Sequence, residues 1–161
     1  HISDLIEFSG PVTVGCNRAG RCPVNIGKVE IQGVTAEGTL LINQYWQLSS
    51  NFTIQSPRNE ATDKLLARRS QRYGNLVLPY KSGDWDWSSE LSMSSQRYDD
   101  AANRVILSGY ALVNSTLGYQ LNKDWKLQAR ANNLLNKEYA LVNGYNTMGS
   151  NLFISLNYAM K

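Results

Sequence analysis

Apolar and polar residues alternate with period two along much of this chain, in segments of about ten residues, and helical periodicity is almost absent. In the clearest segment Trp85, Trp87, Leu91 and Met93 share one face, and Asp86, Ser88, Glu90, Ser92, Ser94 and Gln96 share the other. Trp46, Leu48, Phe52 and Ile54 oppose Gln47, Ser49, Asn51, Thr53 and Gln55, and Trp125, Leu127, Ala129 and Ala131 oppose Lys126, Gln128, Arg130 and Asn132. The last segment sets Leu152, Ile154, Leu156, Tyr158 and Met160 against Asn151, Ser155 and Asn157, with Phe153 as the exception. The pattern predicts strands near 2 to 8, 25 to 41, 46 to 56, 68 to 81, 85 to 98, 109 to 121, 125 to 135 and 149 to 160, with both chain ends at the same end of the strands as residues 43–45.

A half-buried soluble sheet alternates in the same way, so the connections and the aromatic residues have to discriminate. Short turns around 43–45, 82–84 and 122–124 contrast with longer links at 9–24, 57–67, 99–108 and 136–149. That asymmetry matches the short periplasmic turns and longer outer loops of an outer-membrane barrel. Trp46, Trp85 and Trp125 each follow a short turn, and Tyr45, Tyr80 and Tyr119 stand beside those turns. Aromatic residues repeated at one level form the girdle expected where strands enter a bilayer. The fold class predicted is all-β: an antiparallel transmembrane β-barrel segment of about eight strands.

Composition is compatible with this reading. The 161 residues are 42% hydrophobic with a formal net charge of +3, because a membrane strand with one apolar and one polar face averages to a soluble-looking value. No run approaches the roughly 18 apolar residues of a spanning helix. The charge gives no basic block interleaved with aromatics, so no nucleic-acid partner is assigned. One histidine, His1, and scattered carboxylates offer no catalytic constellation, which predicts a protein that is not an enzyme, and no metal site or cofactor is read. Cys16 and Cys22 bracket a short polar segment, NRAGR. They predict a disulfide in an outer loop, made in an oxidising compartment. Unreduced protein should then show no alkylatable thiol, and two free thiols would contradict the pairing.

Three segments carry a resemblance beyond periodicity. Residues 25–38 (NIGKVEIQGVTAEG), 65–80 (LLARRSQRYGNLVLPY) and 129–140 (ARANNLLNKEYA, followed by GYNTMG) resemble, in order and spacing, elements of the TonB-dependent receptors of the bacterial cell outer membrane. LLARR, the WDW strand with RYD at its outer end, and NLLNKEYALVNGYNTMG are most similar to the cobalamin-uptake branch of that family. Asn136 stands where the family usually has Asp, and the closing residues 158–161 (YAMK) replace its customary terminal aromatic.

The resemblance implies a 22-stranded barrel around a plug, of which residues 1–161 form the C-terminal third, with the plug domain lying outside this chain. It implies TonB-dependent uptake of cobalamin or a siderophore-like ligand, with TonB acting through the plug. The implied surroundings are the remaining barrel, outer-membrane lipid and lipopolysaccharide. For ligand contact it points to Arg68 and Arg69 at a loop end, where guanidinium groups can donate several hydrogen bonds to amide or phosphate oxygens. Lipopolysaccharide phosphates or lumen carboxylates are equally suitable partners for them. Tyr98, Asp99 and Tyr145 are further rim candidates. Glu90, Gln128, Arg130 and Asn132 face the lumen, where they meet plug or water. Tyr158 and Met160 are the candidate insertion signal. The alternative is a self-contained eight-stranded outer-membrane barrel with a structural or adhesion role, and a soluble β-sandwich binding module comes third.

Overall fold

The computed structural model describes residues 28–160, together with the backbone of short strands at 2–3, 6–8 and 23–25. Its strands in chain order are β1 (Ile2–Ser3), β2 (Ile6–Phe8), β3 (Pro23–Asn25), β4 (Lys28–Leu41), β5 (Gln47–Asn59), β6 (Arg72–Ser82), β7 (Trp85–Ser94), β8 (Arg97–Tyr98), β9 (Ile106–Leu107), β10 (Tyr110–Gln120), β11 (Trp125–Asn132) and β12 (Asn151–Tyr158). One antiparallel sheet runs β1-β4-β5-β6-β7-β10-β11-β12, and β2-β3 and β8-β9 are separate hairpins. Each long strand pairs with its sequence neighbour, which is the meander that short turns impose. Among the described residues β12 pairs only with β11, so the sheet is open and forms no eight-stranded barrel of its own.

Register shows why the alternation matters. Across the sheet Val34 pairs with Ile54, Leu76 with Leu91, Val113 with Leu91, Leu117 with Ala129, and Ala129 with Ile154. Directly opposed residues share a face, so the apolar positions merge into one continuous surface. That surface stays exposed: Val34 is 75%, Leu152 65% and Ile154 70% accessible. Fully buried apolar side chains are few among the described residues, and an apolar exterior without a packed interior suits contact with lipid.

The aromatic girdle is a set of cross-strand pairs. Trp46 lies against Tyr80 with ring centroids 4.8 Å apart, Trp85 against Tyr119 at 4.5 Å, and Trp125 against Tyr158 at 4.8 Å. Each joins a residue just past one short turn to the neighbouring strand, worth about 0.5–1.5 kcal/mol beyond area burial. Trp87 also meets Trp46 and donates its indole N–H to Ser115 Oγ at 2.8 Å, satisfying a polar group on the apolar face. The β6–β7 turn needs only Gly83 and Asp84, with Gly83 at φ +55° supplying the left-handed residue that suits a tight hairpin.

The opposite face is polar. Thr35 and Thr53 hydroxyls share a hydrogen bond of 2.9 Å, and Asn114 donates to Glu90 at 3.4 Å. Lys126 on β11 reaches over β10 to Asp86 on β7, Nζ to Oδ2 2.7 Å. Gly118 makes the crossing possible, because a Cβ there would lie on the Asp86 carboxylate. Gly118→Val should therefore break the pair and overpack the wall, costing about 1–3 kcal/mol. A shift of the urea midpoint measures it, and no change would contradict this geometry.

Several boundaries differ from the sequence expectation. Strand 2 to 8 is divided between β1 and β2, which belong to different sheets. β1 pairs with Lys28 and Val29 at the outer end of β4, so its described residues do not lie at the periplasmic side as expected. β6 begins at Arg72 instead of 68, since Arg68 at φ +58° cannot sit in a strand. β7 stops at Ser94, and residues 97–98 form a small hairpin with 106–107 inside the following link. β11 ends at Asn132, where Asn133 turns to φ +50°. Cys16 and Cys22 lie outside the described residues.

Candidate functional site

Among the described residues, the long connections after β5, β7 and β11 emerge at the end of the sheet away from the aromatic girdle, and they are tied to one another. Asn103, at φ +57°, clamps Leu65 by accepting from its N–H at 2.9 Å and donating to its carbonyl at 2.9 Å. Lys64 donates to the Ala102 carbonyl at 3.2 Å. Asp100 accepts from the backbone N–H groups of Arg104 and Val105. Burial raises its pKa, but those two bonds and the Arg104 charge outweigh burial and hold the carboxyl below its usual range. Arg97, 6% exposed, donates from Nη2 to the Ala140 carbonyl at 2.9 Å and lies over the Tyr110 ring, which also packs against the Tyr139 ring. Its buried Nη1 meets no acceptor among the described residues.

The third connection is built around Asn133, 3% exposed. Its side chain accepts from Lys137 N–H at 2.8 Å and donates to the Lys137 carbonyl at 3.0 Å, while its own N–H donates to Asn114 Oδ1. Asn136 accepts from Ser150 N–H at 2.9 Å through Oδ1. An oxygen is all that contact requires, so asparagine serves here as well as the aspartate that the resemblance leads us to expect.

Arg68 and Arg69 come together at the polar, inward-facing rim. Arg68 N–H donates to the Tyr98 carbonyl at 2.6 Å, and Arg68 Nε pairs with Asp99 Oδ1 at 2.7 Å. Ser70 shares a 2.6 Å hydrogen bond with Ser94, and its carbonyl accepts from Gln55 Nε2 at 2.8 Å. These bonds hold residues 68–70 over a depression of 290 Å3 that Arg68, Arg69 and Ser70 line together with Gln55, Tyr73, Asn75, Ser92, Ser94 and Tyr110. Tyr73, Asn75, Ser92 and Ser94 belong to the polar face, by their pairing across β6 and β7. The result is a hydrogen-bonding recess with two cationic groups at its edge, suited to an electron-rich oxygen surface.

The other predicted residues occupy different places. The Asp99 side chain is 2% exposed and holds Arg68, so it acts behind the recess instead of facing a ligand. Tyr98 contributes its backbone carbonyl to Arg68. Tyr145 is 72% exposed in the 133–150 link and does not line the recess. Tyr158 stacks on Trp125 at the girdle, whereas Met160, 83% exposed, lies beyond the end of β12. Gln55, Tyr73 and Tyr110 carry no signal of recess residues in the sequence, because their grouping depends on register across four strands. Among the described residues no His/Cys/Asp/Glu cluster could hold a metal. Asp99→Ala should release Arg68 and leave the recess less ordered. The check is amide exchange at Arg68, which should accelerate about tenfold or more if the ion pair is worth the 1.5–3 kcal/mol of a charge-assisted bond.

Residues 1–134 match the family described as TonB dependent receptor-like, beta-barrel. The vitamin B12 transporter BtuB of Photobacterium profundum is 24% identical over 136 residues, which is 84% of this chain and 22% of that protein. The chain thus spans under a quarter of that relative's length. Among solved structures, the copper transporter OprC superposes with a TM-score of 0.76 at 17% identity, over 96% of this chain and 27% of its own. The siderophore receptor PiuA of Acinetobacter baumannii gives 0.71 at 18%, over 84% and 22%. The ferric enterobactin receptor PfeA of Pseudomonas aeruginosa gives 0.73 at 21%, over 97% and 27%. These structural likenesses concern the fold, and with the match over residues 1–134 they accord with the two-faced open sheet and its interlocked outer loops: the chain belongs to the TonB-dependent receptor β-barrel family, whose members are bacterial outer-membrane proteins.

Proposed function

We propose that this chain is the C-terminal wall and outer rim of an active-transport receptor that takes up cobalamin or a comparably large, oxygen-rich ligand with energy from TonB. The observation that carries this reading is the recess under Arg68 and Arg69, placed on the polar face at the outer end of a sheet whose other face is apolar. A ligand arriving from outside meets the two guanidinium groups first, with Tyr73 in the lining beneath. The BtuB relative favours cobalamin, while PiuA and PfeA keep a ferric siderophore as the second reading. Plug and remaining strands would come from the rest of the receptor, and TonB would act through the plug.

Binding of labelled cyanocobalamin to the complete receptor in outer-membrane vesicles tests this. Arg68→Ala with Arg69→Ala should weaken binding by about tenfold or more, from the loss of charge-assisted hydrogen bonds worth about 1.5–3 kcal/mol each. Uptake in cells should cease without TonB. Unchanged affinity in the double variant would remove the recess from the binding site, and binding of a ferric siderophore in place of cyanocobalamin would select the second reading.

A further inference from the structure

Asn143 and Gly144 form the one asparagine–glycine pair in the chain, and both are exposed in the 133–150 link. They are the two central residues of a turn closed by Tyr145 N–H donating to the Val142 carbonyl at 3.2 Å. Gly144 stands at φ +80°, and a Cβ there would meet nothing within 4 Å. Only glycine adopts that backbone freely, and the open surroundings leave the turn room to rotate. Neither the Asn143 side chain nor the Gly144 N–H makes a hydrogen bond among the described residues. An electrophilic amide carbon and the backbone nitrogen that follows it are therefore adjacent, unhindered and open to water.

Asn114 and Ser115 provide a control within the same molecule, because serine is the next smallest residue to follow an asparagine in this chain. Here both reacting groups are held. Asn114 Oδ1 accepts from Asn133 N–H at 3.0 Å, and Asn114 Nδ2 donates to Glu90 Oε2 at 3.4 Å. Ser115 is paired on both sides, with Ser89 and with Ala131, so the ladder has to open before its nitrogen can turn toward the Asn114 side chain. Asn143 differs in its surroundings as well. It lines a depression of 660 Å3 between residues 106–108 and the 136–149 part of the link, and the charged residues of that lining are Lys137 and Glu138. A carboxylate at position 143 would leave the lining with an excess of negative charge.

We propose that Asn143 is a self-modifying site, at which the side-chain amide is lost to water and the rim gains a carboxylate as the receptor ages. The Gly144 nitrogen gives its proton to solvent base and attacks Asn143 Cγ. The new N–Cγ bond closes a succinimide ring, the Cγ–Nδ2 bond breaks, and Nδ2 takes up a proton and leaves as ammonia. Water then opens the ring, giving aspartate where the N–Cγ bond breaks and isoaspartate where the original peptide bond breaks. The modification is independent of which ligand is transported. Complete receptor in outer-membrane vesicles, aged in heavy-oxygen water at neutral and at mildly alkaline pH and then mapped by peptide mass spectrometry, tests it. Conversion at Asn143 should outrun conversion at Asn114 by about tenfold or more, rise with pH, incorporate solvent oxygen and yield isoaspartate together with aspartate. Gly144→Ala should slow it by about tenfold, because a Cβ crowds the attacking nitrogen, and Asn143→Gln should suppress it, because the longer side chain closes a less favourable ring. Conversion no faster than at Asn114, whether from intrinsic inertness or from cover by another receptor segment, would overturn the assignment. So would a rate independent of pH, or aspartate formed without isoaspartate.

Discussion

Leu91→Arg should destabilise the folded receptor by about 2–4 kcal/mol, whereas Ser92→Arg, one residue further along β7, should cost well under about 1 kcal/mol. Leu91 pairs with Leu76 on one side and Val113 on the other, on the apolar face between the aromatic girdle and the outer loops. An arginine there must keep its charge in hydrocarbon or distort the bilayer to reach water. Ser92 lies between Asn75 and Leu112 on the polar face, where an arginine can keep its charge among polar side chains and water. Unfolding in urea from short-chain phosphatidylcholine vesicles gives both values in one series. Equal losses would mean that the two faces are assigned the wrong way round or that neither meets lipid.

Asn133→Ala should be comparably damaging, by about 3 kcal/mol, although the residue does not line the recess. Substitution leaves the N–H and carbonyl of Lys137 without their part-buried partner, at about 1 kcal/mol for each lost bond. It also places a Cβ residue at φ +50° without the local hydrogen bonds that let asparagine adopt it, adding about 1–2 kcal/mol. Asn133→Gly separates the two causes: it removes the side-chain bonds but relieves the backbone, so it should recover about 1 kcal/mol relative to alanine. Amide exchange at Lys137 should rise in both variants. Protection equal to wild type would show that the 133–150 link is held by other contacts.

How far the structure can be read from the sequence varies with the kind of information each part needs. The long strands and their facing follow from period-two alternation, which acts residue by residue and needs no knowledge of partners. Phe153 is an exception to the alternation and remains one in the sheet, paired with Arg130 on the polar side. Strand ends are less legible, as Pro57 illustrates. A proline ordinarily ends a strand, yet β5 continues through it to Asn59. Gln55 N–H donates toward Gln71, and residue 57, two further on, faces the same side, where the β6 ladder has already ended at Ile54. Pairing with β4 on the other side is unaffected, so the missing donor costs little.

The site divides in the same way. Arg68 and Arg69 are legible as a basic pair at a loop end, but the left-handed turn that presents them depends on Tyr98 and Asp99, about thirty residues later. Asp99 reads as a ligand contact because it is polar and near the rim, and only its burial against Arg68 reveals its supporting place. The β8–β9 hairpin is invisible in the sequence because two residues per strand carry no alternation to detect. Arg97 stays hidden for the same reason, since its ring contact with Tyr110 and its bond to Ala140 join two separate connections and the start of β10.

The central claim is that this sheet is one section of a larger barrel wall. Backbone groups left unpaired in hydrocarbon cost several kcal/mol each, so an open sheet of this kind has to find partners at its free edges. Amide hydrogen exchange along β12 tests this most directly, comparing the complete receptor in lipid with residues 1–161 produced alone. In the complete receptor, the β12 amides that do not bond to β11 should be as protected as those that do, because a neighbouring strand covers them. In residues 1–161 alone the same amides should exchange fast, or gain protection only when copies associate. Strong protection of both sets in a monomer of residues 1–161 would mean that β12 closes onto the first strands of its own chain, and would contradict the account.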